Sequence, residues 1–425
     1  MSDNGLTKTQ LSNGMAVILK EMHHAPVASF WVWYRVGSRN EVPGITGISH
    51  WVEHMLFKGT PTFPRGEFDR QIARNGGTFN GFTWIDFTGY FETLPSDRID
   101  LALCIEADRM VNATFDPAET ESERTVIISE REGHENQPGF QLAEAVRAAA
   151  FQAHPYHHEV IGWKSDLRTI SRAELYDHYR RFYSPDNAVA VAVGDFSTAQ
   201  LQDRLEELFG RLPVGPARPV VKIEEPPQRG ERRVVVEGDG KTAYLTMVFH
   251  APPARHPDYF PLVVLDAILG GAKTLALFGG GGSNRSSRLY KALVETELAV
   301  NADSSYLPTL DPFLFSFDVT VRAGRTLEEC EAALWREIER AMSDPPTDAE
   351  LQKAIKQSRA QFAFSAESVT NQAAWLGFSE IVASNEWLHG YLDSLARVTA
   401  ADVQRVARQY LAQSRRTVGW FVPQG

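Results

Sequence analysis

The chain has 425 residues, 43% of them hydrophobic and 23% charged, and 43 lysines and arginines against 54 aspartates and glutamates give a net charge of −11. This is globular composition, which rules out a largely disordered chain, and at roughly 150 residues per domain the length suits two or three domains. The acidic balance excludes a broad basic surface for nucleic acid, because neutralising phosphates takes clustered cations.

In chain order, Ser12-Asn13-Gly14 is a turn between predicted strands over 7–11 and 15–20, and the apolar, β-branched run VASFWVWYRV predicts a strand over 27–36. Gly44 and Gly47 punctuate the entry to a helix over 48–57, closed by Gly59 and Pro61. A short helix over 68–75 turns at Gly76-Gly77 into 78–94, whose alternating threonines and aromatics predict two paired strands. Asp116-Pro117-Ala118-Glu119 starts a helix running to about Gly133. Asp caps it, Pro sits where its missing N–H costs nothing, and Glu119 completes a capping-box-like pattern. A helix over 173–182 then leads into a strand over 187–193.

Between Leu212 and Arg233, five prolines and alternating charge predict an extended linker. The second half of the chain echoes the first. Residues 174–193 are laid out like 401–420, with Arg181 and Tyr183 matching Arg408 and Tyr410, and 242–250 with the helix at 259–269 resembles 27–36 with 48–57. An internal duplication accounts for this. The expected fold is α+β: two homologous α/β-sandwich domains, each a mostly antiparallel sheet covered by helices, over 1–212 and 235–425 with the linker at 213–234.

Cys104 and Cys330 stand far apart in apolar helical stretches, so a disulfide framework and a thiolate zinc site are both excluded, and both are expected to be buried free thiols. No apolar run approaches the roughly 18 residues of a membrane span. No basic segment followed by an apolar core opens the chain, so it is expected to be soluble and cytoplasmic, or periplasmic if a signal peptide was removed.

The chemistry concentrates in His50-Trp51-Val52-Glu53-His54. On a helix, positions four apart project roughly 40° apart, so both imidazoles leave one face and can grip one ion. Zinc takes neutral imidazoles and a carboxylate and keeps a fourth position for water, whose proton a carboxylate off the metal can accept. H-x-x-E-H is the inverted form of the zinc signature H-E-x-x-H. Spacing leaves the third ligand open among Glu119, Glu121, Glu123, Glu130, Glu132 and Glu135, although Glu123 and Glu130, seven apart, share a helix face.

The segments GISHWVEHMLFKGT, GGTFNGFTWIDFTGYFETLP and ESERTVIISEREGHENQP resemble the pitrilysin/insulinase-type inverzincin peptidases, above all their short bacterial members and mitochondrial processing peptidase subunits. The resemblance spans essentially the whole chain. It implies one Zn2+ per chain on His50, His54 and the distal Glu130, with Glu123 supporting the site from behind and Glu53 as general base. It also implies that a peptide adds as a strand to a sheet edge, which brings forward Asn80, Gly81 and Phe82; many members have Asn-Ala where this chain has Asn80-Gly81. One departure stands in the second half. After Ser287-Arg288-Leu289-Tyr290 the family commonly carries an Arg and a Tyr that hold the substrate carbonyl, and this chain has Val294 and Val300. The implied function is a zinc-dependent metalloendopeptidase hydrolysing peptides or unfolded segments in a closed chamber. The missing pair further implies the catalytic subunit of a heterodimer, whose homologous partner lacks zinc but keeps Arg and Tyr. The alternative is a non-catalytic core or scaffold subunit of the same fold.

Three other features carry less. The glycine run 279–282, after Gly270-Gly271-Ala272-Lys273-Thr274, misses the phosphate-loop spacing and is expected to be a mobile loop that handles substrate. His154, His157 and His158 are expected to be structural, and His23-His24 a solvated turn.

Overall fold

The computed structural model describes residues 5–273 and 285–425, and the glycine run 279–282 lies outside them. The first of two compact units comprises Met1–Arg131, His158–Lys222 and Ala366–Leu388. Its six strands are β1 (Leu6–Gln10), β2 (Ala16–Glu21), β3 (Val27–Tyr34), β4 (Thr78–Thr83), β5 (Thr88–Pro95) and β6 (Ala188–Gly194), in the order β1-β2-β6-β3-β5-β4. β2 and β6 run parallel and every other pair antiparallel. The run of β3, apolar but for the buried Ser29, fits its place inside the sheet, where both faces are covered. One face carries Trp31 stacked on Trp33 with centroids 5.3 Å apart, and the helix Val369–Val382 packs over β3 and β6. Gly377 permits this approach, since a Cβ there would stand 2.1 Å from Trp33 Nε1. The other face sets Tyr34 against Tyr90 and Tyr183.

The second unit comprises Glu132–His157, Ile223–Ser365 and His389–Gly425. Its strands are β7 (Arg232–Asp239), β8 (Tyr244–Ala251), β9 (Ala299–Tyr306), β10 (Phe313–Val321) and β11 (Arg416–Gln424), ordered β7-β11-β8-β10-β9. β7 and β11 are parallel and the rest antiparallel. Laid on β2-β6-β3-β5-β4, the order and sense of every strand coincide, including the single parallel pair. The duplication read from the sequence is therefore present as topology. The helix Pro138–Ala150 lies on β7, β8 and β11, and Gly419 leaves room for Val146.

Local expectations fare well, with two corrections. Asp116 Oδ1 accepts from the backbone N–H groups of Ala118 and Glu119 at 2.9 and 3.1 Å, as a cap should, but the Glu119 side chain binds Arg65 instead of closing a capping box. Cys330 is buried, whereas Cys104 is only half-buried: its helix, Ile99–Asn112, turns it to a polar edge beside Asp100 and Arg204. Among the described residues no helix is long and apolar enough to cross a membrane.

Candidate metal centre

His50 and His54 stand on the helix Ile48–Met55. Its entry is tightly fixed. Gly47 has φ +86, and a Cβ there would meet Ile161 O at 2.4 Å, so the chain turns into the helix where only glycine fits. The buried Glu41 then accepts the N–H groups of Gly47 and Ser49 at 2.8 and 2.9 Å, satisfying two donors of the first turn. Burial pushes Glu41 up to about 8 against the pull of those backbone bonds. Behind the helix, Ser49 Oγ meets His178 Nε2 at 3.2 Å.

The two Nε2 atoms lie 3.2 Å apart. Glu130 Oε2, from the helix Pro117–Glu135, stands 3.7 Å from His54 Nε2 and 3.9 Å from His50 Nε2. Bonds of about 2.0–2.2 Å at tetrahedral angles space ligand atoms about 3.3 Å apart, so this triangle is near the size that one ion closes. Among the described residues, these three side chains are the one group of histidine, cysteine or acidic residues able to hold a metal. The donor chemistry fits as well. His54 Nδ1 lies 2.8 Å from Glu123 Oε1, so Nδ1–H donates to the carboxylate and the Nε2 lone pair is turned to the cluster. Lys58 Nζ holds the other oxygen of Glu123 at 2.5 Å. Burial raises the Glu123 carboxyl, but the bonds from His54 and Lys58 outweigh it and hold the group below its usual range. For His54, burial lowers the imidazole, yet the Glu123 bond and the surrounding carboxylates leave it raised.

Glu53 is buried beside the histidines, and its Oε2 accepts a hydrogen bond from Thr83 Oγ1 at 2.8 Å. Burial raises its pKa, with a smaller push from the Glu130 charge. Thr83 closes β4, the edge strand of its sheet. On this strand Asn80 is exposed and its Oδ1 accepts the N–H of Gly81. Gly81 points at Phe57 and Tyr90, where a Cβ would come within 2.8 and 2.9 Å of their rings. That crowding leaves no room for a side chain at this position without a shift of the two rings. The Phe82 ring turns to the opposite face, edge-on to Trp33 at 5.6 Å.

Of the six glutamates left open by spacing, Glu119 pairs with Arg65 and Glu121 with Arg124, while Glu123 and Glu130 face the histidines. Sequence reasoning missed Thr83, Lys58 and Glu41. Lys58 lies four residues past His54, the spacing that already paired the histidines, and Thr83 shares a strand face with Gly81, so both had a readable signal. Glu41 had none, because a loop residue folding back onto a helix start leaves no period. In the second half Val294 is half-buried and Val300 is 63% exposed, so neither position offers a polar group. His154 is buried against Asp311, and Lys273 binds Asp266.

Two units share one strand topology, and the first carries a His/His/Glu cluster able to hold a metal beside a buried carboxylate. The family is more particular. Residues 16–163 match the profile described as Insulinase (Peptidase family M16), and residues 169–358 match that of the Peptidase M16 inactive domain. The chain belongs to the M16 (pitrilysin/insulinase) peptidase superfamily. It is 28% identical to the zinc protease PqqE of Helicobacter pylori over 97% of this chain and 92% of that one. It is 26% identical to the mitochondrial-processing peptidase subunit beta of Blastocladiella emersonii, over 95% and 85% of the two chains. The crystal structure of a protease from Helicobacter pylori superposes with a TM-score of 0.92 at 27% identity, covering 98% of this chain and 99% of that one.

Proposed function

We propose that this chain is a zinc-dependent endopeptidase acting on extended peptides, with His50, His54 and Glu130 holding the ion. The observation that carries the reading is the convergence of three donor atoms with edges of 3.2, 3.7 and 3.9 Å next to a buried carboxylate that is not one of them. Zinc bound there would polarise the scissile carbonyl and acidify the attacking water. Glu53 takes the proton of that water and returns it to the leaving amine; with Oε2 engaged by Thr83, the transfer runs through Oε1. The substrate strand adds to the β4 edge along Asn80, Gly81 and Phe82, where backbone groups read backbone groups.

Val294 and Val300 supply no group to hold the carbonyl, and orientation is worth several kcal/mol of barrier. A homologous partner chain with Arg and Tyr at those positions fits the requirement. The Blastocladiella relative, by its name a processing-peptidase subunit, supports such a paired arrangement.

A second reading has its own observation. The profile matched by residues 169–358 is described as inactive, and relatives named as subunits stand beside those named as proteases. By the comparisons alone, a non-catalytic core subunit is the better-backed reading; what favours hydrolysis is the geometry around Glu53. The experiment measures zinc content and cleavage of a quenched peptide by the chain alone and with each co-encoded homologue. Hydrolysis that disappears in Glu53→Gln supports the enzyme; stoichiometric zinc with no hydrolysis in any pairing supports the core subunit.

A further inference from the structure

A cavity of about 320 Å³ opens in the second unit between the turn Tyr290–Val294 and the helices Leu327–Ser343 and Asp348–Ser365. In a chain of net charge −11 its lining is basic: Arg288, Lys291, Arg340 and Lys353 against Glu337 and Glu350. Two of the four cations are matched. The buried Arg288 makes a two-pronged contact with Glu350, Nε to Oε1 at 2.8 Å and Nη2 to Oε2 at 3.0 Å. Thr347 donates to the same Oε2 through N and Oγ1, both at 3.0 Å. The Arg288 bonds above all hold Glu350 down to about 2, so this carboxylate is charged and fully engaged. Arg340 Nη1 stands 3.6 Å from Glu337 Oε2. For Lys291 and Lys353 no carboxylate lies within ion-pair distance among the described residues. Lys353 Nζ donates to Ser286 O at 2.8 Å, while burial and then the Lys291 charge lower its pKa, with Glu350 opposing. The cavity thus concentrates positive charge that its own walls leave unneutralised.

We propose that this cavity binds a phosphate dianion, free or as the monoester of a small molecule, between Lys291 and Lys353. Two unmatched ammonium groups complement two negative charges, whereas a lone carboxylate would leave one of them unmatched. The volume, at the small end of ligand sites, admits a phosphate with a short organic group. Arg288, locked to Glu350, forms a rigid wall, and Arg340 shapes the mouth. The proposal uses residues of the second unit alone and does not rest on the activity of the metal centre.

The full-length protein is titrated with inorganic phosphate and with glycerol 3-phosphate, at ionic strength held constant with chloride, and followed by thermal unfolding and calorimetry. Both ligands are expected to raise Tm saturably; tighter binding of the ester assigns the site to phosphorylated small molecules, and equal binding assigns it to the free ion. Lys291→Gln and Lys353→Gln each weaken binding about tenfold, the order expected for one close charge pair in a partly screened site, and the double variant loses the saturable shift. Lys353→Arg keeps the charge and retains binding, which separates lost charge from lost fold. Acetate shifts Tm no more than chloride does. A phosphate effect no larger than that of chloride, or wild-type affinity in the double variant, overturns the proposal.

Discussion

Replacing Glu123 by glutamine changes one charge and almost no volume behind His54. The carboxylate side chain is 5% exposed and bridges two donors, His54 Nδ1–H at 2.8 Å and Lys58 Nζ at 2.5 Å. With zinc on Nε2, Nδ1 must keep its proton and an amide cannot serve both neighbours: if its oxygen faces the imidazole, its NH2 meets the Lys58 ammonium, and if it flips, the NH2 meets Nδ1–H. The imidazole also loses the anion that orients it and raises its basicity toward an ion. Losing such a partner behind a ligand costs about 10–100-fold in metal affinity, or roughly 1.4–2.7 kcal/mol. In the metal-free fold His54 can move its proton to Nε2 and accept from the amide, so the loss there is the charge-assisted bond between Glu123 and Lys58, about 1.5–3 kcal/mol. Zinc competition against a chromophoric chelator reads the first effect and thermal unfolding of the metal-free protein reads the second. In a Lys58→Met background the stability loss from Glu123→Gln should shrink, because the charge pair is already gone. Zinc affinity within twofold of wild type in Glu123→Gln, with unchanged unfolding, refutes the argument.

Glu53→Gln should keep zinc and lose about 10²–10⁴ in turnover, as for a missing general base, and activity within a few-fold of wild type at equal zinc content rules Glu53 out of that role. Gly81→Ala drives a methyl into the Phe57 and Tyr90 rings and should destabilise by ~1–3 kcal/mol in denaturant melts, with part recovered by adding Phe57→Leu; an unchanged midpoint contradicts the packing. Burial, and then the Arg181 charge, lowers His178 to about 3. The unfolded chain, with an ordinary imidazole, therefore binds a proton that the folded chain refuses below roughly pH 6.5. Stability should fall with acid from there toward pH 3, by up to about 1.4 kcal/mol per pH unit from this group, and His178→Phe should flatten that slope in the metal-free protein; equal slopes for the two chains count against it. Peptide hydrolysis should rise when a homologue bearing Arg and Tyr at the positions of Val294 and Val300 is added, and full activity of the isolated chain, unchanged by any homologue, removes the need for a partner.

Period and punctuation made much of this fold legible. Val27–Tyr34 is a strand because eight consecutive residues are apolar, aromatic or small, two fewer than the run 27–36 predicted, and Gly76-Gly77 separates helix from hairpin because only there can the backbone reverse cheaply. The duplication was visible in two helix–strand units, and its strand order follows once both halves are taken as one topology. What the sequence withheld is long-range packing. Nothing in Val369–Val382 says that its apolar surface lies on the sheet of Trp33, more than three hundred residues earlier, because an apolar helix face fits any apolar sheet face. The same limit hid Glu41. The triangle of His50, His54 and Glu130 lay between these cases: helical spacing paired the histidines, but only the family resemblance chose among six glutamates on the second helix.

The charge around the cluster bears on which reading of the chain is right. Glu53, Glu123 and Glu130 surround two imidazoles, and Lys58 is the cation seen bonded to the set. With the imidazoles neutral, the group carries an excess of two negative charges, which a divalent ion removes. A metal ion would therefore relieve the mutual repulsion of these carboxylates, whether its purpose were structural or chemical. The two purposes differ in the fourth position. A structural zinc is closed by four protein ligands, while a catalytic one keeps an opening and sets a proton acceptor beside it. Among the described residues this cluster has three donors, and the neighbouring carboxylate is held by Thr83 Oγ1 at 2.8 Å. The proposed enzyme reading gives the burial of Glu53 a role, whereas the scaffold reading leaves the cost of desolvating it without one. That cost makes sense where the carboxylate has a proton to move.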